Sequence, residues 1–359
     1  MESILLDTIH FGKSSLDGGT RRSNQLVELI GRAGFGVKLL PGQAGVLERH
    51  LRGLELLLAR GFRLRPTRLR LANAGRAYAA FKRALADLEG PRLLIWETTY
   101  RHVAAHLAGR LGCRLIAVPA NLESLVPGQA DPYTGAKGLA SLSRELQLLS
   151  RADAVFTISR EEEWLLRTLG VEAWYLPYFP AAPLEEHLIE VRGARKGVAR
   201  TRFLVLGSAV NPPTRSGTIA LLADLHEFRG RMPFAVDIVG AGTEQLAPSV
   251  THDDFTVHGA VSPEKLDHLL LSARAAIVHQ APSSGALTRI PELLLAGIPV
   301  LANENACRSA WTYPGLYPYA DGAGLQALMA SDQPEPPRPE RPARAEQRFI
   351  DCIRRFAGR

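Results

Sequence analysis

The chain has 359 residues with 46% hydrophobic and 22% charged content and a formal net charge of +7, an ordinary balance for a soluble globular protein of about two domains. No apolar run approaches the roughly 20 residues of a membrane-spanning helix, and Met1-Glu2-Ser3-Ile4-Leu5-Leu6-Asp7, with its early acid, reads as a first strand and not as a secretory leader. Cys113, Cys307 and Cys352 are far apart, which excludes a disulfide framework or a cysteine metal site and fits a reducing cytoplasm.

In chain order, residues 3–7 read as a strand, followed by a loop from His10 to Arg22 that contains Gly18-Gly19. A helix through Leu26, Leu29 and Ile30 ends at Gly34-Phe35-Gly36, and a strand follows at 37–40. The next region, helical to about Leu88, is strongly basic. Arg52, Arg60, Arg63, Arg65, Arg68, Arg70, Arg76, Lys82 and Arg83 stand against the single acid Glu55 between His50 and Arg83. Such a patch suits anionic lipid head groups, a phosphorylated acceptor or nucleic acid. Nucleic acid is the weakest of the three, because aromatics are sparse there and no nucleic-acid-binding motif accompanies them. The plain alternative is a solvated helical face.

Strands are expected at 92–97 and 114–118, with a helix at 102–111 between them, then a helix at 139–149 and a strand at 154–158. Ser159 reads as the cap of a helix opening on Glu161, Glu162 and Glu163. A first domain at 1–182, an interdomain linker at 183–202 and a second domain at 203–330 follow from these patterns. The second domain carries expected strands at 203–208, 234–239, 255–258, 275–279 and 300–303. Residues 331–342 are a Pro-rich connector, and 343–359 an amphipathic helix with Phe349, Ile350, Ile353 and Phe356 on one side. Regular alternation of strand and helix predicts an α/β fold with parallel sheets.

The segment 283–300 is the richest in chemistry. Ser283-Ser284-Gly285 is a small-residue loop ahead of a short helix bearing Glu292, and Gly297-Ile298-Pro299-Val300 leads into a buried strand. A glycine-rich loop opening a helix offers free N–H groups to a diphosphate, and a carboxylate one turn further in can accept from sugar hydroxyls. The plain alternative is a buried helix–strand unit. Gly240-Ala241-Gly242 after a strand lacks the third glycine and the acid of a dinucleotide fingerprint, which disfavours a dehydrogenase.

Taken together, these segments resemble the retaining glycosyltransferases of family four, which have the GT-B fold. Asp17-Gly18-Gly19-Thr20-Arg21-Arg22 is similar to the family's N-terminal Gly-Gly loop. Pro119-Ala120-Asn121-Leu122-Glu123-Ser124 is similar to its His-Asn-x-Glu element, with Ala120 in place of the His. The stretch 151–162 resembles its Ala-Asp-x-Val-x-x-x-Ser element, and 207–217 its Gly-Ser…Pro-Pro-Asn loop. Residues 239–242 and 255–261 resemble its Val-Gly-x-Gly and Phe-x-Val-x-Gly-x-Val segments. In 283–300, Ser284 stands where many relatives have a first glutamate, and Glu292 matches the second.

The resemblance implies two Rossmann-like domains facing across a cleft, with the C-terminal helix crossing back to the first. It implies transfer of a sugar from a nucleotide-diphosphate donor to a glycan or lipid-linked acceptor hydroxyl, with no cofactor and no metal. Arg289, Arg215 and Glu292 are the expected catalytic residues. The donor is expected at Gly18, Gly19, Gly207, Ser208, His258, Gly259, Ser284, Gly285, Leu287, Thr288 and Glu292. The acceptor side is expected at His10, Asn121 and Glu123. An anionic membrane surface would engage the 52–83 basic region from the inner face of the membrane, and no nucleic acid is expected. Ala120 and Ser284 motivate the rival reading, a degenerate chain that binds without turnover. An epimerase of the same fold is a further alternative, with His10, Glu97 and His279 as its scattered candidates.

Overall fold

Short apolar runs become strands hidden on both faces. Every residue of Leu93–Trp96 and Val236–Val239 is buried, as a parallel sheet covered by helices on either side requires. The computed structural model of the chain describes residues 1–8, 18–40, 45–59, 62–228, 230–250, 252–310 and 312–358. Met1–Ser15, Arg22–Pro177 and Pro342–Arg359 form one unit, and Leu16–Arg21 with Tyr178–Arg341 form a second.

In the first unit, β1 (Ser3–Asp7), β2 (Gly36–Leu39), β3 (Leu93–Trp96), β4 (Arg114–Ala117), β5 (Ala154–Thr157) and β6 (Ala173–Tyr175) make a parallel sheet in the order β2-β1-β3-β4-β5-β6. Successive residues of a strand point to opposite faces. Accordingly, Leu5, Leu94 and Trp96 join one core, which includes Phe81, Leu107 and Leu149. Ile4, Leu6 and Ile95 join the other, with Leu29, Phe349 and Ile353. The C-terminal helix Ala343–Phe356 belongs to that second core: Phe349 meets Phe156 edge-on at 5.0 Å, and Arg32 holds the fully buried Glu346 at 2.6 Å.

The basic region forms two helices, Val46–Leu58 and Arg68–Ala86. Glycines bring them backbone to backbone. A Cβ at Gly53 would run into the Leu71 carbonyl, and one at Gly75 into the Arg49 carbonyl. Thr67 caps the second helix by accepting from the Arg70 N–H.

In the second unit, β7 (Arg202–Leu206), β8 (Val236–Val239), β9 (Phe255–Gly259), β10 (Ala273–Val278), β11 (Val300–Asn303) and β12 (Leu316–Tyr319) form a parallel sheet in the order β12-β11-β10-β7-β8-β9. This is the doubly wound Rossmann order, whose topological switch lies between β7 and β10. The α/β fold with two parallel sheets is the expected one. The strand Leu316–Tyr319 was not apparent in the sequence, because Pro318 and two tyrosines mask its alternation.

The stretch read as a linker at 183–202 is mostly helix, spanning Ala182–Ala194. Leu184, Leu188 and Val191 pack into the second unit's core. Their spacing is helical, and the polar run that follows obscured it. Arg195, buried just beyond, donates to the carbonyls of Leu270, Leu271 and Ala273 and so closes the end of Pro263–Ser272.

Candidate active site

The switch point brings together the segments that follow β7 and β10. Gly207 ends β7 closely enough that an added Cβ would lie 2.9 Å from Thr214 Cγ2 and 3.3 Å from an Arg289 guanidinium nitrogen. Glycine there lets the guanidinium rest against the chain. Gly240, at φ +137°, has the Gly207 carbonyl where a side chain would go. The Gly-x-Gly pair therefore serves backbone packing.

Arg289 opens the helix Arg289–Leu295 and donates to Gln280 Oε1 at 3.0 Å. Gln280 is fixed in turn. Its N–H donates to Asn303 Oδ1 at 3.0 Å, Asn303 Nδ2 donates to its carbonyl at 3.0 Å, and Thr214 Oγ1 donates to its side-chain oxygen at 3.2 Å. Among the described residues no carboxylate lies within ion-pair distance of Arg289, and its Nε has no partner. Burial pulls its pKa down to about 10, which still leaves it charged at neutral pH. Among the described residues, then, a guanidinium stands at the Rossmann switch point with no carboxylate facing it.

One turn on, Glu292 is buried; Tyr178 donates to its Oε1 at 2.6 Å, and Arg21 Nε stands 3.6 Å from the same oxygen. Burial raises its pKa, against the pull of Arg21 and Tyr178. Gly18 belongs with Arg21 to the second unit, and an added Cβ on it would lie 3.0 Å from Thr288 Oγ1. Gly285, at φ +78°, turns the chain and accepts from Arg308 at 3.0 Å.

In the first unit the strand ends gather carboxyls. Burial pushes Asp7 up to about 7, and Glu97 is raised by burial while accepting from Ser23 at 2.7 Å. Asn121 donates to Glu123 at 2.9 Å, and burial together with Glu145 pushes Glu123 up to about 7. Thr99, His102, Glu123, Asp131, Arg144 and Glu145 line a small cavity of about 20 Å³. His102 is kept neutral by burial, which pulls it down to about 3.

Residues 17–182 match the family described as glycosyl transferase 4-like domain. The match covers a little under half of the chain. No curated protein matches the chain in sequence. Among solved structures, the sucrose-phosphate synthase of Thermosynechococcus elongatus aligns over 99% of this chain and 96% of its own, with a TM-score of 0.63 and 15% identity. The catalytic domain of Arabidopsis thaliana starch synthase IV, bound to ADP and acarbose, covers all of both chains at 0.62 and 10% identity. Anabaena HepE in complex with UDP and glucose covers 99% and 98% at 0.61 and 15% identity. At these identities the likeness establishes the fold, which is GT-B over the whole chain. The domain match and the fold are both those of glycosyltransferases.

Not every residue expected to serve sugar transfer joins the cluster. Arg215 does not, because the stretch read as a loop at 207–217 turns helical at Pro212. On that helix Thr214, Gly217 and Thr218 face inward and Arg215 faces solvent. Nor do the N–H groups after Ser284-Gly285 form a helix N-terminus, since the helix begins only at Arg289. Ser284 and Thr288 are half-buried in that irregular loop, and Leu287 packs on the core. Ser208 Oγ donates to the Ala241 carbonyl at 3.2 Å and accepts from the Val210 N–H at 3.3 Å, organising the turn after β7. The His258 ring is taken by Asp237 at 2.7 Å, which also pairs with Arg202 at 2.6 Å. Gly259, at φ +68°, accepts from the Gly240 N–H at 2.8 Å and keeps its place at the strand ends. Gly19 lies beside Gly18 in the first turn of Gly18–Arg32. His10 lies outside the described residues.

Tyr178, Gln280, Asp7 and Glu97 were not singled out from the sequence as site residues, apart from Glu97 in the epimerase alternative. Only Gln280, just after a strand read as buried, carried a usable signal. Among the described residues no group of three His, Cys, Asp or Glu converges as a metal set would, and no helix is long and apolar enough to cross a membrane.

Proposed function

We propose that this glycosyltransferase moves a sugar from a nucleotide-diphosphate donor to an acceptor hydroxyl, with retention at the anomeric carbon and without a metal ion. The observation that carries the proposal is Arg289, a charged guanidinium at the Rossmann switch point with no counter-ion among the described residues. In the reaction the bond from the anomeric carbon to the diphosphate oxygen breaks and a bond to the acceptor oxygen forms. The acceptor's proton passes to the departing phosphate. Charge grows on that leaving group, and a preorganised cation in a water-poor setting stabilises it. Glu292 Oε1 takes Tyr178 and Arg21, leaving Oε2 to accept from the ribose hydroxyls. UDP in the HepE complex and ADP in the starch synthase complex support a nucleoside-diphosphate donor.

The acceptor side is assigned to the first unit, at Asn121 and Glu123, with a glycan or lipid-linked acceptor. The basic residues of 52–83 are assigned to an anionic membrane surface on the cytoplasmic side.

Thermal-shift titration with UDP-, GDP- and ADP-sugars tests the donor site, because a ligand that binds only the native state raises the melting temperature. One of the three should do so. Arg289→Gln should abolish that rise, and Glu292→Gln should weaken the apparent affinity by about tenfold or more. A rise unaltered in both variants would place the donor elsewhere. The rival of binding without turnover is eliminated if donor hydrolysis or transfer is detected. Activity unchanged by a chelator, and an NMR assignment of an unaltered anomeric configuration in the product, are the expected outcomes for the remaining two points.

A further inference from the structure

The helix Val46–Leu58 presents Leu47, Leu51, Leu54 and Leu58 to solvent at 75%, 57%, 48% and 85% exposure. Their spacing of four, three and four residues puts them on one face. The opposite face carries Gly53 and Leu56, which are buried against Arg68–Ala86. The helix is thus an outer layer, held down on one side and apolar on the side left open. Gly53 opposite Leu71 and Gly75 opposite Arg49 set the two helices antiparallel. Leu58 and the 71%-exposed Leu69 therefore lie at the same end of the pair.

The charges around this stripe are one-sided. Between residues 45 and 86 the only acids are Glu48 and Glu55, and both are engaged: Glu48 by Arg83 at 3.6 Å, and Glu55 by Arg52 at 2.7 Å. Exposed Arg63, Arg65 and Arg68, at the Leu58 end, face no carboxylate within ion-pair distance among the described residues. Aliphatic residues along one face and unpaired guanidinium groups at its end are what an interfacial helix needs to enter an anionic leaflet. A protein-binding stripe would be richer in aromatic and Met side chains.

We infer that Val46–Leu58 is an interfacial anchor whose four leucines enter the acyl region of an anionic membrane while Arg63, Arg65 and Arg68 meet the head groups. This rests on the membrane reading above and adds insertion to it. Insertion resists salt, whereas Coulombic attraction alone does not.

Co-sedimentation of the full chain with phosphatidylcholine vesicles, with and without about 30% phosphatidylglycerol, tests it at low and at roughly 0.5 M salt. Wild type should bind the anionic vesicles and keep measurable binding in high salt. Leu51→Ser with Leu58→Ser should lower the partition coefficient by about tenfold or more at both salts. Arg63→Gln with Arg68→Gln should lower it mainly at low salt. All of these sites are exposed, so melting temperatures should match wild type. As a second measurement, Leu54→Trp should be quenched by acyl-chain bromines. If the leucine variants bind like wild type and the tryptophan is not quenched, insertion falls and the membrane reading survives. Absence of wild-type binding overturns both. A dimer in solution that Leu51→Ser dissociates assigns the stripe to a second copy and overturns insertion.

Discussion

Arg289 shows what a single half-buried charge can reveal. A guanidinium to which the described residues supply only the Gln280 amide oxygen lowers stability in the ligand-free chain. Arg289→Gln should therefore unfold no earlier than wild type, and about 1 kcal/mol later by urea denaturation, while losing the donor-induced shift. Asp7 is the converse, a carboxyl held neutral. Its pKa is raised from 3.8 to about 7, so the native state keeps the proton that the unfolded chain releases. That contribution is complete below about pH 4 and disappears as pH rises through 7. His102 and His106, pulled down by burial to about 3 and about 4, act in the opposite sense, weakening the native state as pH falls below 6.5. A difference measurement separates them: relative to wild type, Asp7→Asn should gain melting temperature between pH 5 and pH 8. Neither residue's state was legible in the sequence. Arg289 was picked as a phosphate cation from its loop, but so was Arg215, and only burial and pairing tell them apart.

At the scale of elements, local pattern went far. The helices at 103–110 and 139–149 and most of the strands follow from apolar spacing and caps, and Ser159 does accept from the Glu162 N–H at 3.2 Å. At 183–202 the polar run from Arg192 to Arg202 hides the helical stripe of Leu184, Leu188 and Val191. What no local pattern gives is the partner of each face. Gly53 and Gly75 read as helix weakeners, yet they set the approach of two helices. Gly75→Ala should cost about 3 kcal/mol, read as a lower urea midpoint, because the obstacle is the Arg49 backbone and not a movable side chain. Phe349→Ala should cost about 3–5 kcal/mol by the same measurement, since the ring is wholly buried against Phe156.

For the whole molecule, the chain leaves the first unit at Pro177 and returns to it at Pro342. The first unit is thus completed by a segment that follows the second unit in the chain. Ending the chain at Arg341 would uncover Ile30, Phe35 and Phe156, which pack with Phe349, Ile350 and Ile353 in one core. Calorimetry of that truncated chain should show a first-unit transition lowered by many degrees, and a second-unit transition near its original temperature.

By itself the sequence determined the alternation of strands and helices, the two parallel sheets and the glycosyltransferase resemblance. Those depend on periods of two and 3.6 residues and on short motifs, which a linear reading captures. Only the tertiary structure decided that Arg289 meets no counter-ion among the described residues, that Tyr178 and Arg21 share Glu292, and that a row of leucines faces outward. Burial and charge pairing are set by residues tens to hundreds of positions apart, and their energies depend on distance in space and on exclusion of water, neither of which is written along the chain.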